Sequence, residues 1–457
     1  MTSEKEPKTL KDALKEIWEP FVAFAKSPRP LWGINIPYLL EGLVYFGILT
    51  VLAKYLSENL KLGDVKAGII VSLFTGGITF AMFFLGETAD RKGIRKVLIF
   101  AFLFMFIGRI LLAISSKVTP TGNIFSGATL FAILGLLGVI IGYGMYQPGA
   151  YAGVKKFTDE KTATMGYAML YGLMNLGAFF SGILSPFVRK SSVKSFPPNG
   201  IGGVLWVYVC FTLLSLVLTA IILKDSDDTP KKEEKKEEKK EEKKVKIFSK
   251  EWFKEHPMRD LRFTFFIFIL IPVQTLFAHN WLTLPLYINR AFVPWVSENF
   301  EFFSNLNPIL IFILAPIVAA LTAKKNIYNM IIYGTFVMAL PTFLLAIGPY
   351  PITLFTYIIL MTVGEAMWQP RFLQFIAEIA PEGKTGAYMG IGQFPWFLTK
   401  VITGFYSGWF LEKFIPAEGP QRSEILWFIY GCIAIISPIA LVIARKWMLS
   451  GEKFKEN

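Results

Sequence analysis

The sequence predicts an all-α membrane protein of twelve transmembrane helices in two six-helix bundles. Three observations carry this reading. Hydrophobic residues make up 53% of the 457 residues and charged residues only 18%, against about a quarter charged in soluble domains. Apolar runs of about 20 residues, enough to cross a hydrocarbon core of ~30 Å, recur along the chain. The basic residues fall in alternate loops, which fixes orientation in multi-pass membrane proteins.

Residues 1–30 are polar and hold no short apolar segment ending in a cleavage site, so the first span is expected to direct its own insertion. Within them Leu10, Ala13, Leu14, Ile17, Trp18, Phe21 and Val22 recur at helical spacing opposite Lys11, Asp12, Lys15, Glu16 and Glu19. This is the pattern of an amphipathic helix lying in the cytoplasmic interface. Spans one to six are expected at 31–55, 66–86, 97–116, 127–150, 163–187 and 202–223, and spans seven to twelve at 262–288, 305–323, 328–347, 352–377, 386–411 and 425–444. Runs of this length are helices, because lipid offers no partner to an unpaired backbone group. The two bundles are 31–223 and 262–444. Between them, 224–261 carries the tract Lys231–Lys244, read as a solvated tether, followed by Ile247, Phe248, Trp252 and Phe253 as a short interfacial helix. A tail, 445–457, closes the chain.

With both termini in the cytoplasm, 35 of the 47 Lys and Arg fall on the cytoplasmic side. That distribution explains the net charge of +13 without nucleic acid. A soluble α/β enzyme is excluded. Cys210 and Cys432 both lie in apolar runs, so neither a disulfide framework nor a metal-ligand spacing is present. No P-loop occurs, and no cofactor, metal or catalytic residue is expected. The chain is read as a monomer, not an enzyme. Short loops and the absence of N-glycosylation acceptor motifs point to a bacterial inner membrane.

Ionisable groups inside a bilayer are costly and mark a cavity or a partner. Five qualify: Glu41, Arg109, His279, Glu365 and Lys400. Glu41 lies about ten residues, or ~15 Å, into span one, flanked by Tyr38 and Tyr45 on one face. It is the first candidate for protonation; His279 is the second, since an imidazole titrates near neutral pH, with a satisfied structural histidine as the other reading of that position. Lys400 is expected to hold a substrate carboxylate or to neutralise Glu365. Trp368, one turn beyond Glu365, is expected to pack a ligand. Arg109 reads as a structural pair or a snorkelling side chain. Gly135, Gly138 and Gly142 are expected to let helices pack closely.

The loop after span two reads Gly86-Glu-Thr-Ala-Asp90-Arg91-Lys92-Gly93-Ile-Arg95-Lys96. Gly86 suits a close helix crossing and Gly93 a turn, and Asp90 can cap the next helix. This stretch resembles the major facilitator superfamily signature G-x-x-x-D-R-x-G-R-K, at its proper place between spans two and three. The resemblance implies the major facilitator fold and a gating role for Gly86, Asp90, Arg91, Gly93 and Arg95. Its counterpart around Ala323-Lys324-Lys325-Asn326 lacks the Asp.

Further stretches resemble one branch of that superfamily, the proton-coupled oligopeptide transporters. They are Glu41-Gly-Leu-Val-Tyr45-Phe46-Gly47, Gly142-Tyr-Gly144-Met-Tyr146-Gln147-Pro148, Tyr171-Gly-Leu-Met-Asn175-Leu-Gly177, Asn305-Leu-Asn307-Pro308 and Gly364-Glu365-Ala-Met-Trp368-Gln369-Pro370. The resemblance implies a secondary transporter that works by alternating access, coupled to protons, on a small polar or zwitterionic solute of peptide-like chemistry. It places Glu365 on a substrate amino group and adds Tyr38, Tyr45, Gln147 and Asn175 to the substrate site. The chain departs from the branch at three positions: Tyr38 stands for its first span-one Glu, Gly42 for its Arg and Gln147 for its span-four Lys. In the family those groups serve proton coupling and carboxylate binding. A proton-driven efflux antiporter and a transporter-like sensor of the same fold are the alternatives.

Overall fold

The computed structural model describes residues 28–85, 88, 92–158, 163–224, 256–322, 325–381, 388, 391–392 and 394–450. Gly86, Asp90 and Arg91 of the loop motif, the amphipathic segment at 10–22, the charged tract and the 247–253 helix lie outside them. Among the described residues the structure is helical, and eleven helices are long and apolar enough to cross a membrane. Spans one to six are Arg29–Asn59, Asp64–Leu85, Ile94–Ser115, Gly127–Phe157, Ala163–Ser192 and Ile201–Ile222. Span nine is Ile327–Ala339 with a short helix Thr342–Leu345 beyond Pro341, span ten Pro351–Ile379 and span twelve Ser423–Met448. Span eleven, Phe394–Phe414, carries Lys400 and is the expected span that is not among those eleven. The protein is an integral, multi-pass membrane protein.

The expected span seven is broken like span nine, and span eight gains a short turn ahead of its expected start. Span seven runs as Leu261–Ile269, Ile271–Leu282 and Leu284–Ala291. Pro272 and Pro285 lack the N–H that would continue the ladder, and each ring crowds the carbonyl four residues back. The freed amide of Val273 is taken by Ser437 Oγ at 3.0 Å. Span eight is a short Phe300–Ser304 turn and a main helix Leu306–Leu321, bent at Asn305. Here Pro308 crowds the carbonyl of Ser304.

Helix starts follow local chemistry. Ser126 Oγ caps span four through the Thr129 amide, Asp260 caps span seven through the Arg262 and Phe263 amides, and Asn326 caps span nine. Gly93 opens span three at φ +86°, a backbone region closed to other residues, as the loop motif requires. Arg95 donates to the Leu223 and Ala220 carbonyls, at 2.7 and 3.1 Å, and so closes the C-terminus of span six.

Spans one to six pack among themselves, three against four and one against five and six; seven to twelve do likewise, nine against ten and seven against eleven and twelve. The halves meet where span two lies along span eleven, span five along span eight, and span one along span seven. Glycines set these distances. A Cβ at Gly108 would fall 2.9 Å from the Val139 amide nitrogen, so spans three and four touch backbone to backbone as the small residues at 135 and 138 predict. At Gly42 a Cβ would lie 2.7 Å from the Met174 carbonyl oxygen. The position where the resembling branch carries an arginine is therefore a tight crossing of spans one and five.

Candidate functional site

A cavity of about 340 Å³ lies between the halves. Span one contributes Tyr38, Tyr45 and Thr50, span four Tyr143, Gln147 and Tyr151, and span five Tyr171 and Asn175; the other half contributes Asn280, Asn305, Asn307, Glu365, Trp396 and Lys400. The half built from spans one to six thus presents a wall of tyrosines and amides without charge. The other half supplies one carboxylate and one ammonium, the only charged side chains on the cavity among the described residues.

Glu365 sits mid-way along span ten and is 6% exposed. Asn307 Nδ2 donates to its Oε2 at 2.8 Å and also reaches Thr362 Oγ1 at 3.0 Å. Asn307 can do this because it opens the main helix of span eight directly after the Asn305 bend. Lys400 projects from span eleven and donates across the halves to Thr79 Oγ1 at 3.4 Å. Among the described residues no ion pair joins Glu365 to Lys400 or either of them to another charge. The two charges therefore stand apart in one cavity, free for a ligand that carries both signs.

The aromatic wall is layered. Tyr38 stacks on Tyr146 with centroids 5.7 Å apart, and Tyr45 lies 4.6 Å from Tyr143. Tyr38 and Tyr45 are seven residues apart, nearly two helical turns, and so share a face. Of the residues expected in the substrate site, Tyr38, Tyr45, Gln147, Asn175, Glu365 and Lys400 line the cavity.

Three expected site residues do not. Glu41 is fully buried and faces span three, where Arg109 Nη1 donates to its Oε2 at 2.8 Å and Nη2 to its Oε1. Thr212 of span six accepts from the same Nη1 at 2.8 Å. Glu41 lies three residues from Tyr38, a rotation of about 60° that turns it off the cavity. His279 is also fully buried; its ring contacts Thr283 at 2.8 Å and Tyr406 at 3.1 Å and stacks on Tyr430. The cavity takes Phe277, Asn280 and Trp281 from that helix, and His279 points to spans eleven and twelve. Trp368 packs under span nine, where its indole donates to Met338 Sδ at 3.2 Å. Its place on the cavity is taken by Gln369, which sits one residue on and about 40° from Glu365.

A second cluster was not legible as a site. On the face that bears the first loop, Arg290 grips Asp64 with both prongs, at 2.6 and 2.8 Å, and reaches Glu58 at 3.3 Å. Lys54 bonds Glu58 and, across the halves, Asn289 at 2.6 Å. Nearby Arg189 of span five pairs with Glu301 of span eight and donates to the Glu298 carbonyl at 2.6 Å. These pairs join loops and span ends far apart in the chain, and pairing between distant loops leaves no local trace in the sequence. The signal available was the mixture of both signs at those ends.

The major facilitator superfamily model matches residues 34–404. The chain is 21% identical over 439 residues to dipeptide and tripeptide permease A of Serratia proteamaculans, covering 84% of this chain and 83% of that protein. It is 22% identical over 481 residues to the Yersinia pestis permease of the same name, covering 94% and 93%. Among solved structures, the POT family transporter PepTSo is similar with a TM-score of 0.70 at 18% identity, covering 93% of this chain and 99% of that one. A POT family transporter in complex with 5-aminolevulinic acid gives 0.67 at 17% identity, covering 92% and 97%. These structures share the fold. With the family model spanning both halves and the central cavity, the chain belongs to the major facilitator superfamily.

Proposed function

We propose that this protein is a proton-coupled secondary transporter of small zwitterions of the dipeptide class, working as a monomer in a bacterial inner membrane. The observation that carries the reading is the cavity's one carboxylate and one ammonium, Glu365 and Lys400, unpaired with each other and facing an uncharged tyrosine wall. A zwitterion satisfies both, its ammonium at Glu365 and its carboxylate at Lys400. The likeness to dipeptide and tripeptide permeases supports a peptide backbone between the two charges. A cavity of about 340 Å³ suits a ligand of that size.

Alternating access follows from the ion pairs. With both termini in the cytoplasm, the first-loop face is the outer one, and the Arg290–Asp64 and Arg189–Glu301 pairs close it. Tyr151 and Tyr171, the more exposed cavity walls, lie toward the opposite ends of their helices. The structure then corresponds to the inward-facing state. Glu365 is the coupling carboxyl: protonation removes the charge that otherwise demands a cation, and the emptied carrier can return. Glu41 is instead a structural anion, held by Arg109.

Uptake of labelled dialanine into proteoliposomes under an inward proton gradient tests the reading. Accumulation that the gradient drives, and that unlabelled dialanine competes, is expected. Absence of uptake together with absence of dialanine binding overturns it.

A further inference from the structure

We propose that Asn305 is a positioning residue that couples the central cavity to the outer gate. The proposal rests on the reading of Glu365 as a working site residue, but not on the identity of the substrate.

Asn305 is the hinge residue of span eight, between the Phe300–Ser304 turn and the main helix. Its side-chain amide makes two bonds. One goes across the halves to Thr50 Oγ1 at 2.9 Å, the other back to the Glu301 carbonyl at 2.8 Å. Glu301 is the residue whose carboxylate Arg189 holds from span five. On the cavity side, Asn307 stands two residues on and binds Glu365 at 2.8 Å. One short segment therefore touches the site carboxylate at one end and the gate ion pair at the other.

The grip on this segment from the opposite half is close. A Cβ at Gly182 of span five would lie 2.9 Å from Asn305 Cβ and 3.1 Å from the Glu301 carbonyl oxygen. Arg189 lies seven residues beyond Gly182, nearly two turns along the same face. Span five thus seats the bend at Gly182 and clasps Glu301 with Arg189, while span one holds Asn305 through Thr50. A helix interrupted at Asn305 can swing its short turn without unwinding the main helix. When Glu365 changes partners, Asn307 shifts, and Asn305 carries the shift to Thr50 and Glu301. An unbroken helix would hold both ends in one rigid line.

A double-mutant cycle on the full chain tests this without any substrate. Cys210 and Cys432 are replaced by Ser, and spin labels are placed through Lys194→Cys and Glu418→Cys, exposed positions in the loops after spans five and eleven, on the same face as the first loop. The open fraction of that face is read by electron–electron distance measurement. Glu365→Gln is expected to change the open-to-closed ratio by about threefold or more, the scale of coupled neighbours. The same substitution is expected to change it by less than half as much when Asn305→Ala is present. Thr50→Val, which removes only the cross-half bond, should reproduce part of that loss and serves if Asn305→Ala does not fold. Equal shifts in both backgrounds, or no shift from Glu365→Gln, overturn the proposal. Dialanine added to the same sample separates the two readings: coupling in the cycle without a response to dialanine sinks the proposed substrate and leaves the relay standing.

Discussion

Glu41 and Arg109 form a two-pronged ion pair in the interior of the first half, joining span one to span three, with Thr212 of span six on the same guanidinium nitrogen. Both side chains are essentially unexposed. Such a pair adds little over a well-packed apolar replacement, yet losing one partner strands a buried charge, at about 3–5 kcal/mol. Glu41→Ala or Arg109→Met is therefore expected to lower the thermal unfolding midpoint in detergent sharply. The double variant Glu41→Met with Arg109→Met should recover much of the loss and keep gradient-driven uptake. If the double variant folds but has lost proton drive, Glu41 belongs to the coupling machinery after all.

Eleven membrane-spanning helices were legible because hydropathy and helix length are one-dimensional properties. Even the breaks at Pro272 and Pro308 had a local cause in the sequence. Cavity-facing residues were legible where a charge or a family pattern marked them, as with Glu365, Lys400 and Asn175. What the sequence could not carry was direction around a helix. Three residues separate Tyr38 from Glu41, and the same spacing separates Glu365 from Trp368; in each pair one side chain reaches the cavity and the other meets a neighbouring helix. Arg290 and Asp64 are 226 positions apart. No pattern along the chain announces such a contact, because it exists only once the halves close on each other.

Glu365→Gln keeps the size of the side chain but removes the proton site and weakens the bond from Asn307, whose acceptor is no longer a carboxylate. The variant is expected to exchange external for internal dialanine while failing to accumulate it under a proton gradient. Counterflow and pyranine-reported proton entry in the same vesicles check this. Retained accumulation at wild-type levels would move the coupling group elsewhere.

Lys400→Gln removes the cavity's only described cation. A buried charge partner that loses its mate typically costs about 2 kcal/mol or more, or ~30-fold in affinity. The KM for dialanine is expected to rise by that order, whereas C-terminally amidated dialanine, which has no carboxylate, should be handled as well by the variant as by the wild type. An equal loss for both ligands would reduce Lys400 to a packing element of the seam between spans two and eleven, where its carbonyl accepts from Ser72 at 2.8 Å.

That seam and the Arg290 cluster join the halves at the first-loop face by different means, and they are expected to differ in whether a ligand can restore closure once they are weakened. Asp64→Asn halves the charge attraction that Arg290 enjoys and leaves the packing of small residues intact. It is expected to raise, by about tenfold, the labelling of a Leu49→Cys cavity probe by an impermeant maleimide applied from the first-loop side, in a background lacking Cys210 and Cys432. The seam itself is backbone against backbone: a Cβ on Gly68 would lie 3.0 Å from the Gly404 carbonyl oxygen, and one on Gly408 would lie 2.7 Å from Val65 Cα. Gly408→Leu cannot be seated there without parting spans two and eleven. Because those helices must touch at this end whenever the outer face closes, the variant is expected to remain open to the maleimide whether or not dialanine is present. Asp64→Asn, by contrast, should still close when dialanine is added from the opposite side, since only the latch is weakened. Equal, ligand-insensitive labelling in both variants would mean that the ion pairs and the glycine seam are one device rather than two.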